Sequence, residues 1–215
     1  MTVDFQASLF DVGPDAEPAT PAIGVLGDTV RRRVLSHGAW VDVRPSWITG
    51  SDDLFAELVH RVPWHAERRQ MYERVVDVPR LLKFYGEGET LPDPVLVAAR
   101  EALNDHYREE LGEPFTTAGM CYYRDGRDSV AWHGDTSGRS RTEDTMVAIV
   151  SFGEARKLSL RPRGGGRTEL SLALGHGDLV VMGGSCQRTW EHAILKTARP
   201  VGPRISVQFR PHNVR

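Results

Sequence analysis

A chain of 215 residues that is 40% apolar can bury one good core and is too short for several. Its two cysteines stand far apart, which excludes a disulfide framework and suits a reduced, cytosolic protein; the net charge of −2 excludes a uniformly basic surface. No apolar run approaches the roughly 18 residues of a membrane span and no charged-then-apolar leader is visible, so neither secretion nor membrane insertion is expected.

Residues 1–22 hold DVGPDAEPATPA, rich in Pro, Ala and acids and poor in core formers, and read as a disordered arm. Residues 23–215 read as one folded domain. Short helices are expected over 27–35 (GDTVRRRVL) and 51–60 (SDDLFAELVH), the second opened by Ser51 with acids in its first turn. The longest helical pattern runs over 92–111, with Pro94 near its start, a stripe of Val95, Ala98, Ala102, Leu103 and Tyr107, and Gly112 as a stop. From Phe115 onward the pattern turns to strands, expected at 118–124, 146–152, 157–161, 168–174, 178–183, 190–195 and 204–210. Helices followed by many short strands give an α+β class built on a sandwich or jelly roll.

The chemistry concentrates in that strand-rich part. His133-Gly-Asp135 places an imidazole and a carboxylate two residues apart, hence on one face of an extended segment, and His192 follows on a later strand. Two histidines and one carboxylate can hold one face of a ferrous ion and leave three positions open, the 2-His-1-carboxylate arrangement. His-x-Asp alone is a weak signal, since His176-Gly-Asp178 also fits it. That second copy lies in LGHGD directly before the apolar run 179–182 and reads as a turn opening a strand. In RISVQFR (204–210), Arg204, Ser206, Gln208 and Arg210 share one face and Ile205, Val207 and Phe209 the other. Six strand residues span roughly 20 Å, and guanidinium forks suit carboxylates, so Arg204 and Arg210 could bracket a five-carbon keto diacid. An edge strand with a solvated polar face is the plain alternative.

Six segments carry a resemblance to a known family: VPRLLKFYG (78–86), YYRDGRDSVAWHGD (122–135), VAIVSFG (147–153), LGHGDLVVMGG (174–184), TWEHAI (189–194) and RISVQFR (204–210). In order and spacing they resemble the AlkB family of DNA and RNA dealkylating dioxygenases, over roughly residues 60–210. The resemblance implies a double-stranded β-helix (jelly roll, about 115–211) with flanking N-terminal helices and a nucleotide-recognition lid (about 60–86). It implies His133, Asp135 and His192 as ligands of Fe(II), with 2-oxoglutarate and O2 as co-substrates. It implies Arg204, Arg210 and Tyr123 at 2-oxoglutarate, flanked by Cys121 and Ser206. The reaction it implies is oxidation of an N-alkyl group on a base, with decarboxylation of the keto acid to succinate, followed by collapse to an aldehyde and the repaired base. Met71 and Tyr72 correspond to a finger that some relatives push into duplex DNA, and Arg80, Tyr85, Trp132 and Arg161 are further expected substrate contacts. This chain departs from the family at Cys121, where Asn is usual, and at Ser206 and Gln208, where Asn and Thr are usual.

Two basic stretches offer phosphate contacts. Residues 60–80 interleave arginines with Trp64 and Tyr72, and 156–170 set Arg161, Arg163 and Arg167 around three glycines as a basic hairpin tip. In the arm, Gln6-Ala-Ser-Leu9-Phe10 resembles the peptide by which bacterial proteins dock on the replicative sliding clamp. The leading reading is a monomeric iron and 2-oxoglutarate dealkylase of alkylated DNA or RNA, at the nucleoid. The same chemistry on a protein or small molecule, and a non-catalytic clamp- or DNA-binding module, stay open at this point.

Overall fold

The computed structural model describes residues 20–71 and 74–214, without the side chains of 69–76. Gln6, Leu9 and Phe10 lie outside the described residues, as do Tyr72 and the side chain of Met71. The strands are β1 (Ala22–Ile23), β2 (Arg31–Val34), β3 (Ala39–Arg44), β4 (Ile48–Thr49), β5 (His65–Met71), β6 (Arg74–Tyr85), β7 (Phe115–Tyr123), β8 (Val130–His133), β9 (Val147–Gly153), β10 (Arg156–Pro162), β11 (Leu170–Leu174), β12 (Leu179–Gly184), β13 (Trp190–Ile194) and β14 (Arg204–Pro211). The helices are α1 (Asp52–Arg61), α2 (Pro94–His106), α3 (Arg108–Leu111) and α4 (Cys186–Thr189).

An eight-stranded sheet, ordered β2-β3-β12-β9-β14-β7-β6-β5, faces a four-stranded sheet ordered β11-β10-β13-β8. This is the jelly roll expected from the strand pattern. Period-two alternation assigns every residue of the central strands to one of two cores. In β9, Ala148, Val150 and Phe152 point to the helix-covered side, with Leu54, Leu58, Leu96 and Leu103. Val147 and Ile149 point between the sheets, where they meet Leu158, Leu160 and Ile194. β14 follows the same rule with one difference. Ile205, Val207 and Phe209 join the helix-side core, but the residues facing the other sheet are Arg204, Ser206, Gln208 and Arg210. One polar strand face inside an apolar sandwich opens a cavity there.

Two expected helices come out differently. Residues 27–35 form a 3-10 turn (Gly27–Thr29) and then strand β2. Pairing with β3 overrides local helix preference, with Arg32 stacked 3.6 Å from the Trp40 ring centroid and ion-paired to Asp42 and Glu110. The 92–111 helix breaks at Tyr107 (φ −99, ψ 10) into α2 and α3. The buried stripe of α2 is Leu96, Ala99 and Leu103, continued by Tyr107, while Ala98 is exposed. Asp93 caps α2 by accepting a bond from the Val95 amide at 2.8 Å. Strands β3, β5, β6 and β8 were not evident from the sequence pattern.

Candidate metal centre and adjoining cavities

β8 and β13 pair antiparallel with His133 directly opposite His192. Cross-strand partners on one face stand close, and the two imidazole centroids are 4.3 Å apart. Asp135 lies just past the end of β8, and the His133 Nε2 to Asp135 Oδ1 distance is 3.6 Å. The three donor atoms all lie within 4.8 Å of one another, which puts one ion within reach of all three. The tautomer of His133 is settled by its partner. Nδ1–H donates to the Ala131 carbonyl at 2.8 Å, so Nε2 turns its lone pair to the site.

Electrostatics hold these groups in ligand form. Burial pushes the Asp135 carboxyl upward, but the Arg210 guanidinium, with His192 and His133, outweighs it and keeps the group well below the usual carboxylate range. Burial, reinforced by His133, lowers His192 to about 3, leaving a neutral imidazole. Gln187 Oε1 accepts the Asp135 amide at 3.0 Å, and Ser140 Oγ donates to the Asp135 carbonyl, fixing the backbone that carries the carboxylate. Neither Gln187 nor Ser140 carries a recognisable sequence signal.

Arg204 is only 1% exposed. Its Nη2 donates to Ser151 Oγ at 2.7 Å, while Nε and Nη1 are buried without a partner. Arg156 offers a contrast. It is also buried, yet its guanidinium donates to the carbonyls of Asp125, Asp128 and Leu195. A buried guanidinium with idle donors costs free energy unless an anion arrives. Beside it lies a cavity of about 80 Å³ lined by Tyr123, His133, His192, Arg204, Ser206 and Gln208 among others. Tyr123 is the cross-strand partner of Arg204. Burial, with Cys121 adding to it, raises its hydroxyl above the ordinary range and keeps it a neutral donor. The donor set and the orphaned guanidinium therefore fit a metal ion and a carboxylate side by side. Ser151 is visible in hindsight as the one hydroxyl inside the apolar run VAIVSFG.

Arg210 differs from the expected free carboxylate fork. Its Nε and Nη2 both sit 2.7 Å from Asp135 Oδ2, so it clamps the carboxylate while lining both cavities. At the positions departing from the family, Gln208 Nε2 donates to the Ser206 carbonyl at 3.0 Å and to Ser206 Oγ at 2.5 Å, and Cys121 Sγ lies 3.8 Å from Gln208 Oε1. These three side chains satisfy one another.

A larger cleft of about 780 Å³ adjoins the site, lined by Arg80, Leu82, Phe84, Cys121, His133, Asp135 and Arg210 among others. Arg80 anchors to the Ser129 carbonyl at 3.0 Å, and its Nε is buried without a partner. Three other expected substrate contacts do not reach this cleft. Tyr85 is one residue out of phase with Phe84 and packs, 7% exposed, into the helix-side core. Trp132 alternates with His133, and Arg161 pairs with Glu191 beside His192, so both point to the far side of their sheet. There Arg161 stacks 4.2 Å from the Trp132 ring centroid and binds Glu191 at 2.9 Å. The second His-x-Asp is structural. His176 Nδ1 accepts the Gly153 amide, its Nε2–H meets Ser51 Oγ at 2.6 Å, and Asp178 accepts the amides of Gly175 and Ser46.

The fold and the site together define an iron- and keto-acid-dependent oxygenase. Residues 49–210 match the sequence profile of the 2OG-Fe(II) oxygenase superfamily, and the chain belongs to it. Membership implies Fe(II), 2-oxoglutarate and O2 as cofactors. Among curated proteins, the chain is 28% identical over 200 residues to the human alpha-ketoglutarate-dependent dioxygenase alkB homolog 3, covering 86% of this chain and 68% of that one. It is 27% identical over 178 residues to the human DNA oxidative demethylase ALKBH2, covering 74% and 68%. Among solved structures, that of OsALKBH1 superposes with a TM-score of 0.56 at 14% identity, covering 85% of this chain and all of that one. A 2OG-Fe(II) family oxidoreductase from Burkholderia pseudomallei gives 0.53 at 11%, covering 81% and 86%. The two structural likenesses speak for the fold.

Proposed function

We propose that this chain is an AlkB-type dioxygenase that removes alkyl groups from nitrogen atoms of nucleic-acid bases, in DNA and on the same grounds RNA. The reading rests on homology to alkB homolog 3 and ALKBH2 together with one observation: a fully buried Arg204 with two idle donors, opening on the cavity that His133 and His192 also line. His133, Asp135 and His192 would hold Fe(II), which when bound supplies O2 activation at the expense of 2-oxoglutarate. Arg204 would take the distal carboxylate, with Tyr123 and Ser206 beside it. Arg210 keeps Asp135 ionised and aimed. Arg80 and Cys121 stand where the two cavities adjoin, and the larger one has room for a flipped base. Met71, at the end of β5, and Tyr72 would supply the finger that enters the stack.

Mass spectrometry of oligonucleotides carrying 1-methyladenine, 3-methylcytosine or an etheno adduct, incubated with ferrous iron and 2-oxoglutarate, tests the reading. Loss of the alkyl mass with matching succinate is the expected result. Succinate formation without change in any oligonucleotide would direct the same chemistry to a protein or small molecule. The expected boundary at 22 shifts, since Ala22 already pairs with Thr49 in the domain; residues before it would form an arm, and Gln6, Leu9 and Phe10 would tether a monomeric, nucleoid-associated enzyme to the sliding clamp. Titration of a 1–15 peptide against purified clamp, beside a peptide with Leu9 and Phe10 changed to Ala, checks that tether, and equal affinity of the two ends it.

A further inference from the structure

Beside the metal-ligand loop, three arginines gather around an open cup of about 410 Å³ lined by Thr136, Arg141, Arg163 and Arg188. The loop itself separates the two spaces, since Gly134, Asp135 and Ser137 line the cleft and Thr136 lines the cup. We infer that this cup binds one phosphodiester of the polynucleotide whose base occupies the cleft, an inference that rests on the nucleic-acid reading above.

Charge accounts for the choice of ligand. Arg188 is ion-paired to Asp144. Glu143, next in the chain, is turned to Arg139 at 3.7 Å. Arg163 spends Nε and Nη2 on the carbonyls of Arg188 and Gln187, at 2.6 and 2.9 Å, which fixes its position without neutralising it. Arg141 is exposed; its amide donates to the Gly138 carbonyl, but its guanidinium has no hydrogen-bonding or ionic partner among the described residues. Three guanidiniums thus face one carboxylate. Like charges gathered at one spot repel unless an anion sits among them, and planar forks match phosphate oxygens. Surface arginines held apart by solvent would not need the Arg163 anchor.

The cup is also coupled to the metal loop. At Gly134, between His133 and Asp135, any Cβ would collide with the Gln187 carbonyl and Arg163 Nη2. Arg163 therefore packs directly against the backbone joining two proposed iron ligands. A phosphate seated on Arg163 and Arg141 would locate the strand relative to that loop, and so place the neighbouring base over the large cleft.

Binding measured by fluorescence anisotropy tests this, using the full-length protein loaded with Mn(II) and 2-oxoglutarate. The probes are single-stranded oligonucleotides centred on 1-methyladenine, each with one phosphate near the lesion replaced by a neutral methylphosphonate. Arg141→Gln should weaken binding of the all-phosphate strand and flatten its log Kd against log salt slope by about 0.7, the share of one phosphate contact on a single strand. One methylphosphonate position should weaken the wild type by the same factor, and at that position Arg141→Gln should cause no further loss. Arg141 is exposed and unpaired, so the substitution does not threaten the fold. If the losses multiply at every position, or the salt slope stays unchanged, the cup does not hold phosphate. A wild type that repairs no oligonucleotide removes the nucleic-acid reading and the cup together. Repair by the wild type with multiplicative losses removes the cup alone.

Discussion

At the scale of single residues, the informative groups are those that are buried and incompletely satisfied. Arg204 is the clearest. Replacing it with Met removes a charge whose burial is only partly offset in the absence of ligand. The expected outcome is that Arg204→Met unfolds at the same temperature as the wild type or higher without 2-oxoglutarate. It should also raise the KM for 2-oxoglutarate by about 100-fold or more, since a buried charge-assisted pair is lost. Wild type should gain several degrees on saturation with the keto acid, roughly as 100 Kd of ligand adds about 2.7 kcal/mol, and the variant should not. Thermal unfolding with and without 2-oxoglutarate reads both effects. The cysteines differ in the same spirit. Burial pushes the Cys186 thiol up to about 12, with the Asp135 carboxylate adding to it, whereas Cys121 lines both cavities. Iodoacetamide at pH 8 should therefore label Cys121 and spare Cys186 in the folded protein, and 2-oxoglutarate should protect Cys121. Peptide mapping by mass spectrometry checks the pattern.

At the scale of elements, β14 shows how much of the site could be read from the chain. Its alternation of apolar and polar residues was explicit in RISVQFR, and the structure sorts the two sets onto opposite faces. Changing Val207, which is fully buried in the helix-side core, to Asp should cost more than about 4 kcal/mol and prevent soluble folding. Circular dichroism of the expressed variant tests this. The pairing of His133 with His192 was legible only as a spacing, because register depends on the neighbouring strands. β2 was illegible: Arg31–Val34 are all exposed at a sheet edge, and such a strand has no buried face to mark its period. β6 concealed itself differently. RVVDVPRLLKFY contains a proline and doubled apolar residues that blur alternation, although its inner residues Arg80, Leu82 and Phe84 line the cleft. The misplacement of Tyr85, Trp132 and Arg161 has one cause. Each points to the face of its strand turned away from the cavities: Tyr85 and Trp132 are one residue out of phase with the lining Phe84 and His133, and Arg161 lies opposite Glu191 rather than His192.

At the scale of the whole molecule, the helix-covered side of the large sheet supports the site without touching it. Tyr107 ends α2, stacks 6.2 Å from Trp40, and donates to Asp42 Oδ2 at 2.9 Å. Arg32 binds the same carboxylate and Glu110 on α3. This network ties β2, β3 and the α2–α3 junction together far from the iron ligands. Tyr107→Phe leaves a buried carboxylate short of one donor and should cost about 1–2 kcal/mol. For a chain of this size that is a fall in Tm of roughly 2–4 °C per kcal/mol, with turnover at 25 °C unchanged. Differential scanning calorimetry beside a succinate assay separates the two readouts.

The small and large cavities share Arg80, Cys121, His133, Gln208 and Arg210 along their walls. A nucleotide held in the larger cleft would sit against the same five residues that wall the smaller cavity. The expected order is therefore 2-oxoglutarate before the damaged strand, and succinate out after it. Excess oligonucleotide should then act as a cork against 2-oxoglutarate, slowing the approach to steady state when it is added first.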